Sequence, residues 1–142
     1  MNKILIILSF VVIASCAPEV PDEDLVEWQG VTYEVNSQTP FTGTSVSYHD
    51  NGQLEVKANY KEGEPDGLTE VYYDNGQLMV KANYKEGEPH GLAEVYYDDG
   101  QLMAKANYKH GERHGLKEIY YDNGELKEEA KYKDGERLWH RP

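Results

Sequence analysis

The chain has a single cysteine, Cys16, so no intramolecular disulfide can form. It has only two phenylalanines and two tryptophans. Leu, Ile and Val are also thin along most of its length, which excludes a thick aliphatic core. No stretch after residue 16 carries apolar residues at helical spacing, which argues against a helical domain. Positive charge is short as well, with 14 Lys and Arg against 26 Asp and Glu and a net charge of −12. Such a surface repels phosphate backbones, so nucleic acid is not expected as a partner. The one apolar run, Ile4 to Ala14, is too short to cross a bilayer as a helix. No nucleophile, base and acid fall into a catalytic pattern, and no Gly-rich phosphate loop precedes a helix. An enzyme is therefore not expected, nor is a cofactor.

What is present is tyrosine, with 12 copies, and glycine, with 13. Both recur at a fixed step of 24 residues. Gly52, Gly76, Gly100 and Gly124 keep it, as do Tyr60, Tyr84, Tyr108 and Tyr132. A constant period of this kind marks a repeat architecture, which usually serves as a scaffold or binding surface.

Each repeat reads as a β-hairpin. The turn residues are Asn51-Gly52, Asn75-Gly76, Asp99-Gly100 and Asn123-Gly124. Asn-Gly favours a two-residue type I′ loop, in which both residues have φ > 0. With Asn75-Gly76 as that loop, Val71 faces Val80, Thr69 faces Ala82, Tyr73 faces Leu78 and Gly67 faces Tyr84. On the other face Glu70 meets Lys81 and Tyr72 meets Met79. The third copy follows suit, with Tyr97 opposite Leu102, Val95 opposite Ala104 and Glu94 opposite Lys105. The apolar alternation of the two strands agrees with this register. In the fourth copy Glu118 faces Glu129, a like-charge pair, and the ending Arg137-Leu138-Trp139-His140 leaves the period and is expected to fold over the last strand. The connection Lys85 to Gly91, with two Gly and a Pro, reads as a longer turn on the opposite edge. The expected fold class is all-β: an antiparallel meander of β-hairpin repeats forming an extended, twisted single-layer sheet of about eight strands. Gly30 to Glu34 is expected to add one more.

The N-terminus bears on location. Lys3, the apolar run and Ile13-Ala14-Ser15-Cys16 resemble the signal peptide and lipobox of bacterial lipoproteins. That resemblance implies cleavage before Cys16 and lipid on its sulfur, and so a membrane partner through that lipid. The residue after Cys16 is Ala rather than Asp, which by the same resemblance favours the outer membrane, on its periplasmic or surface side. Ala17 to Asp24 holds two prolines and four acids and reads as a tether. The chain thus divides into a signal segment (1–15), a lipidated Cys with an acidic flexible tether (16–27) and a repeat domain (28–142).

Tyr-Tyr-Asp-Asn-Gly-Gln-Leu, then Tyr-Lys-Glu-Gly-Glu-Pro-His-Gly-Leu, with the lead-in Pro40-Phe41-Thr42-Gly43, resembles the MORN repeat variant, often grouped with YwqK-type antitoxins of toxin–antitoxin systems. The resemblance covers about residues 28 to 137 and implies a sheet built from hairpins. Three readings of function stand beside it. The first is a membrane-anchored scaffold that binds a protein partner through its tyrosines. The second is a module for cell-wall glycan or peptidoglycan, and the third an antitoxin-like or immunity-like protein that neutralises a toxin. Tyr48, Tyr72, Tyr96 and Tyr120 are the candidate contact residues, because they share the more polar face with Glu70 and Lys81. Tyr combines apolar area with a hydroxyl at low entropy cost. Tyr60, Tyr84, Tyr108 and Tyr132 are assigned to holding the sheet. The five histidines (His49, His90, His110, His114 and His140) read as solvated turn residues, so no metal site is expected.

Overall fold

The computed structural model describes residues 19–142, so Cys16, its lipobox and the signal segment lie outside the described residues. Twelve strands follow one another: β1 (Glu19–Pro21), β2 (Leu25–Trp28), β3 (Val31–Glu34), β4 (Gly43–Tyr48), β5 (Leu54–Lys61), β6 (Glu64–Tyr72), β7 (Leu78–Lys85), β8 (Glu88–Tyr96), β9 (Leu102–Lys109), β10 (Glu112–Tyr120), β11 (Leu126–Lys133) and β12 (Glu136–Arg141). Strands β4 to β12 pair in sequence order as an antiparallel meander, and β1 lies parallel to β4 along its outer edge. The ten-stranded sheet is open rather than closed into a barrel. The meander of 24-residue hairpins is the fold expected from the sequence.

A single layer leaves both faces partly wet. Phe41, Val46, Ala58, Ala82 and Ala130 are buried, and among the described residues no large side chain is fully enclosed. Ala82 lies between Thr69 on β6 and Ala93 on β8, and Val80 between Val71 and Val95. These residues form an apolar row across the hairpins, to which Tyr60, Tyr84, Tyr108 and Tyr132 add rings opposite Gly43, Gly67, Gly91 and Gly115. Tyr60 has a further ring beside it. It packs on Phe41 at 5.8 Å, and burial, then the charges of Asp22 and Glu27, push its hydroxyl above the ordinary value.

The turns differ from the expected pattern on both edges. At Asp74-Asn75-Gly76 the Gly76 N–H donates to the Tyr73 carbonyl (2.9 Å) and the Tyr73 N–H to the Gln77 carbonyl (2.8 Å). Only Gly76 has positive φ, at 83°. This is a three-residue loop, a type I turn closed by a Gly bulge, not a two-residue type I′ loop. The Asn75 side-chain oxygen accepts the Gln77 N–H (2.8 Å), which holds Asn75 in the turn. The type I′ turns sit on the other edge instead. Glu86 and Gly87 have φ of 51° and 79°, with Lys85 paired to Glu88. Pro89 is no obstacle there, because it pairs with Tyr84 without needing an N–H.

The longer loop shifts the register near it. Pairing follows the expected Val71–Val80, Glu70–Lys81, Thr69–Ala82 and Gly67–Tyr84. Past a bulge at Met79, however, Tyr72 lies opposite Leu78, and Tyr96 opposite Leu102. The Tyr73–Leu78, Tyr72–Met79 and Tyr97–Leu102 pairs are therefore corrected. The extra residue is absorbed by the bulge, so the rest of the hairpin keeps its faces.

Both ends are more ordered than composition suggests. Glu19 to Glu27 is folded where a tether is expected. Glu19 pairs with Lys57 (2.6 Å) and the Ser45 hydroxyl donates to Asp22 (3.2 Å), so these acids have fixed partners. Covering β4 also removes an open sheet edge. Strand β3 pairs with β2 in a separate hairpin rather than extending the meander. It is tied in by the Thr32 N–H to the Gly63 carbonyl (2.8 Å) and the Phe41 N–H to the Thr32 carbonyl (2.8 Å). The C-terminal segment lies beside β11 as the last strand, not over it.

Candidate interaction surface

The charged face of the sheet carries one row running across the strands. By register, Lys57 on β5 neighbours Glu70 on β6, then Lys81, Glu94, Lys105, Glu118, Glu129 and Arg141 on β7 to β12. Signs alternate except at Glu118–Glu129. Glu19 closes the row on the β1 side through Lys57. The Lys105 ammonium lies 2.8 Å from Glu118, which holds the Glu118 carboxyl below the ordinary range and raises Lys105 above it.

Tyrosines flank this row. Strand alternation puts Tyr72, Tyr96 and Tyr120 on the face of Glu70, Glu94 and Glu118, two residues earlier on the same strand. The Tyr120 hydroxyl donates to Glu118 at 3.0 Å, and Lys105 sits 5.8 Å from the Tyr120 ring centre. Burial first, then the neighbouring carboxylate, raises the hydroxyls of Tyr72 and Tyr96 above the ordinary value. They stay protonated and keep a donor. The three Tyr–Glu units stand two strands apart, a repeat of about 9–10 Å. Tyr48 is set apart from them. Val46 occupies the place of the Glu, and the ring is 57% exposed beside the β1 segment. Of the four candidate tyrosines, the structure thus brings three into one arrangement.

The turn residues hold neighbouring hairpins together. The Asn51 amide donates to the Asp74 carbonyl (2.6 Å) and the Asn75 amide to the Asp98 carbonyl (2.9 Å). Asp99 has no amide to donate, and its carboxylate takes the Gln101 side chain instead (3.1 Å). The second tyrosine of the two middle copies, Tyr73 and Tyr97, does a related task. Pairing between β7 and β8 ends at Val80–Val95, and beyond it the Tyr73 hydroxyl takes the Tyr96 carbonyl (2.8 Å). Tyr97 repeats this on Tyr120 (3.0 Å), and His49 makes the same contact with Tyr72 (2.9 Å). On the opposite edge the N–H groups of Gly63, Gly87, Gly111 and Gly135 donate to the carbonyls of Phe41, Pro65, Pro89 and Arg113. Asn51, Gly52, Asn75, Gly76, Asp99, Gly100, Asn123 and Gly124 therefore all lie on one stacked edge.

This stacked frame decides the family. A model of the MORN repeat variant matches four times, at residues 41–62, 65–86, 89–110 and 113–134. The chain belongs to the MORN repeat variant family. Each MORN unit runs from the residue whose carbonyl accepts a Gly N–H on the type I′ edge, through a strand, the Asp-Asn-Gly or Asp-Asp-Gly loop and a second strand, to the first residue of the type I′ turn. No curated protein matches the chain.

Sequence reading missed the ends of the charge row, Glu19 and Arg141, because neither belongs to a repeat. The step Lys57, Lys81, Lys105 and the step Glu70, Glu94, Glu118 are both visible as 24-residue spacings. The histidines stay apart from this face. His90 meets His110 edge-on at 5.4 Å, and His114 Nδ1 lies 3.1 Å from Asp134. Among the described residues no group of three or more His, Cys, Asp or Glu is placed to hold a metal ion.

Proposed function

We propose that the chain is a lipid-anchored scaffold of the cell envelope whose charged face docks a protein partner, with Tyr72, Tyr96 and Tyr120 as contacts. The observation that carries this reading is the threefold Tyr–Glu unit, set at one spacing beside a row of alternating charges. A repeated site of this kind suits a partner that is itself repetitive or extended, and weak contacts at each unit then add through effective concentration. Family membership supports a repeat-based module that binds protein or membrane. The net charge of −12 favours a protein over an anionic lipid surface. The lipobox at Cys16 supplies the anchor in this reading.

The test is crosslinking from membranes with the lipidated protein, comparing wild type with Tyr72→Ser/Tyr96→Ser. A crosslinked protein that appears with wild type and is lost with the folded variant supports the reading. Equal yield from both moves the contact away from this face. Co-sedimentation with cell wall, and no protein adduct, replaces the protein partner with a glycan.

A further inference from the structure

The apolar residues left uncovered near the N-terminus lie on one small hairpin outside the repeats. Val26, Trp28 and Val35 are 48%, 65% and 51% exposed. Tyr33 pairs with Val26, so strand alternation sets Val26, Trp28, Tyr33 and Val35 on the same face. Val26, Trp28 and Tyr33, with Ser37 and Gln38, border a hollow of about 310 Å³. The hairpin tip is Gln29-Gly30, a tight turn with φ of 54° and 82° and no charge. Val31, paired with Trp28, sits against Gly63 of the repeat array, while Val26 and Trp28 stay exposed beside it.

We propose that this hairpin rests in the interfacial region of the bilayer that holds the Cys16 lipid, with Trp28 as the membrane contact. The inference builds on the lipid anchor of the functional reading and adds where the folded domain sits. Chain length carries it. Glu19 is fixed by its pairing with Thr44 on β4 and by its ion pair with Lys57 on β5, and Cys16 precedes it by three residue steps. Three steps reach at most about 11 Å. With no long tether, a lipid on Cys16 draws the β1 end of the sheet against the membrane surface. Val35 and Asn36 border the same hollow as Glu19, Val20 and Pro21, so the patch lies at that end. The Val35 N–H bonds to the Asp24 carbonyl (2.8 Å), which fixes the hairpin to the segment leading from the anchor. Trp favours this depth because its ring is apolar and its N–H stays hydrated. The acids Asp22, Glu23, Asp24, Glu27 and Glu34 nearby oppose anionic headgroups, so the surface that fits is zwitterionic. The repeat array then projects away from the bilayer, with its tyrosine face free for a partner.

The experiment uses the full chain made with its leader in a bacterial host that processes lipoproteins. Trp139→Phe leaves Trp28 as the only tryptophan. The protein is reconstituted in phosphatidylethanolamine–phosphatidylcholine vesicles, with and without brominated acyl chains. Flotation reports the anchor and Trp28 fluorescence reports the docking. The expected result is flotation, with blue-shifted Trp28 emission that bromine quenches roughly twofold or more. Quenching should weaken as phosphatidylglycerol replaces the neutral lipids. In the Trp28→Phe protein, Trp139 should stay unquenched. Flotation with unquenched Trp28 overturns the docking and leaves the anchor standing. Equal quenching of Trp139, or stronger quenching with phosphatidylglycerol, also overturns it. Failure to float removes the anchor, and the docking with it.

Discussion

Glu118 and Glu129 face each other across β10 and β11, yet each turns to a cation on its far side. Glu118 meets Lys105 on β9 at 2.8 Å, and Glu129 meets Arg141 on β12 at 3.7 Å. The Tyr120 hydroxyl adds a second contact to Glu118. A pair that looks like decay in the last repeat is therefore the one place where the charge row reverses its order, with the extra acid matched by an extra strand. The like charges remain close, which limits what the row contributes. Exposed pairs are worth about 0–1 kcal/mol each.

Acid should expose this pair. Lys105 lowers the Glu118 carboxyl in the folded state. Its contribution is then complete above the unfolded value, about 4.3, and is lost as pH falls through the lower folded value. Glu118 in turn raises Lys105, so that contribution is complete below about 10.4 and is lost as pH rises through the raised value. Glu118→Gln should flatten both limbs while changing neutral stability by about 1 kcal/mol or less. Urea midpoints measured across pH check it. An acid limb equally steep in the variant would assign the pH dependence to other carboxylates.

Asp99→Asn should stabilise the sheet. Asn51 and Asn75 each donate to a carbonyl in the next loop, and Asp99 breaks this series before Asp122. An amide at 99 can reach the Asp122 carbonyl and still accept the Gln101 N–H, as Asp99 now does at 2.9 Å. The gain should be about 0.5–1 kcal/mol, the net value of one such bond. A thermal midpoint at or below wild type would show that the Asn bridges add nothing to the array.

The two kinds of turn predict opposite responses. Gly76, at φ 83°, should not accept a β-branched residue, and Gly76→Val should cost about 1–3 kcal/mol. Glu86 already sits at φ 51°, where Asn is tolerated better than Glu. Glu86→Asn should recover up to about 1 kcal/mol of the 1–2 kcal/mol that left-handed backbone costs. Denaturation of both variants checks the assignment, and destabilisation by Glu86→Asn would contradict the type I′ geometry on that edge.

The sequence made the period, the hairpins and the middle of each register readable, because Val71–Val80 and Glu70–Lys81 satisfy both faces at once. It did not make the loop types readable. Asp-Asn-Gly suits either a type I′ turn or a type I turn with a bulge, and the extra residue at Met79 leaves no mark on the alternation beyond it. The choice coincides with bonds between hairpins, such as Asn75 to Asp98, which a single hairpin does not contain. The order of residues 19–27 was hidden for a similar reason. The partner of Glu19 is Lys57, far along the chain, and acidic composition alone reads as unfolded. The tyrosine face was legible as chemistry, whereas the separation of Tyr48 from the other three depends on Val46 standing where a Glu recurs.

The two tyrosine rows should separate stability from binding. Tyr84 and Tyr108 lie opposite Gly67 and Gly91, on the apolar face that also carries Val80 and Ala82. Tyr72 and Tyr96 lie on the charged face, near the last pairs of their strands, with their hydroxyls near Glu70 and Glu94. Tyr84→Ser/Tyr108→Ser should therefore lower the unfolding free energy more than Tyr72→Ser/Tyr96→Ser. The difference should be about 1–3 kcal/mol, below the 3–5 kcal/mol of a fully buried ring, because all four rings are only half-buried. If the charged face docks the partner, the second variant should lose crosslinking while keeping its melting transition, since aromatic anchors carry much of an interface's energy. Unfolding of the Tyr72/Tyr96 variant beside a stable Tyr84/Tyr108 variant that no longer crosslinks would reverse the roles of the two faces. Retained crosslinking in both would leave the sheet as a frame and place the contact on its turns or ends.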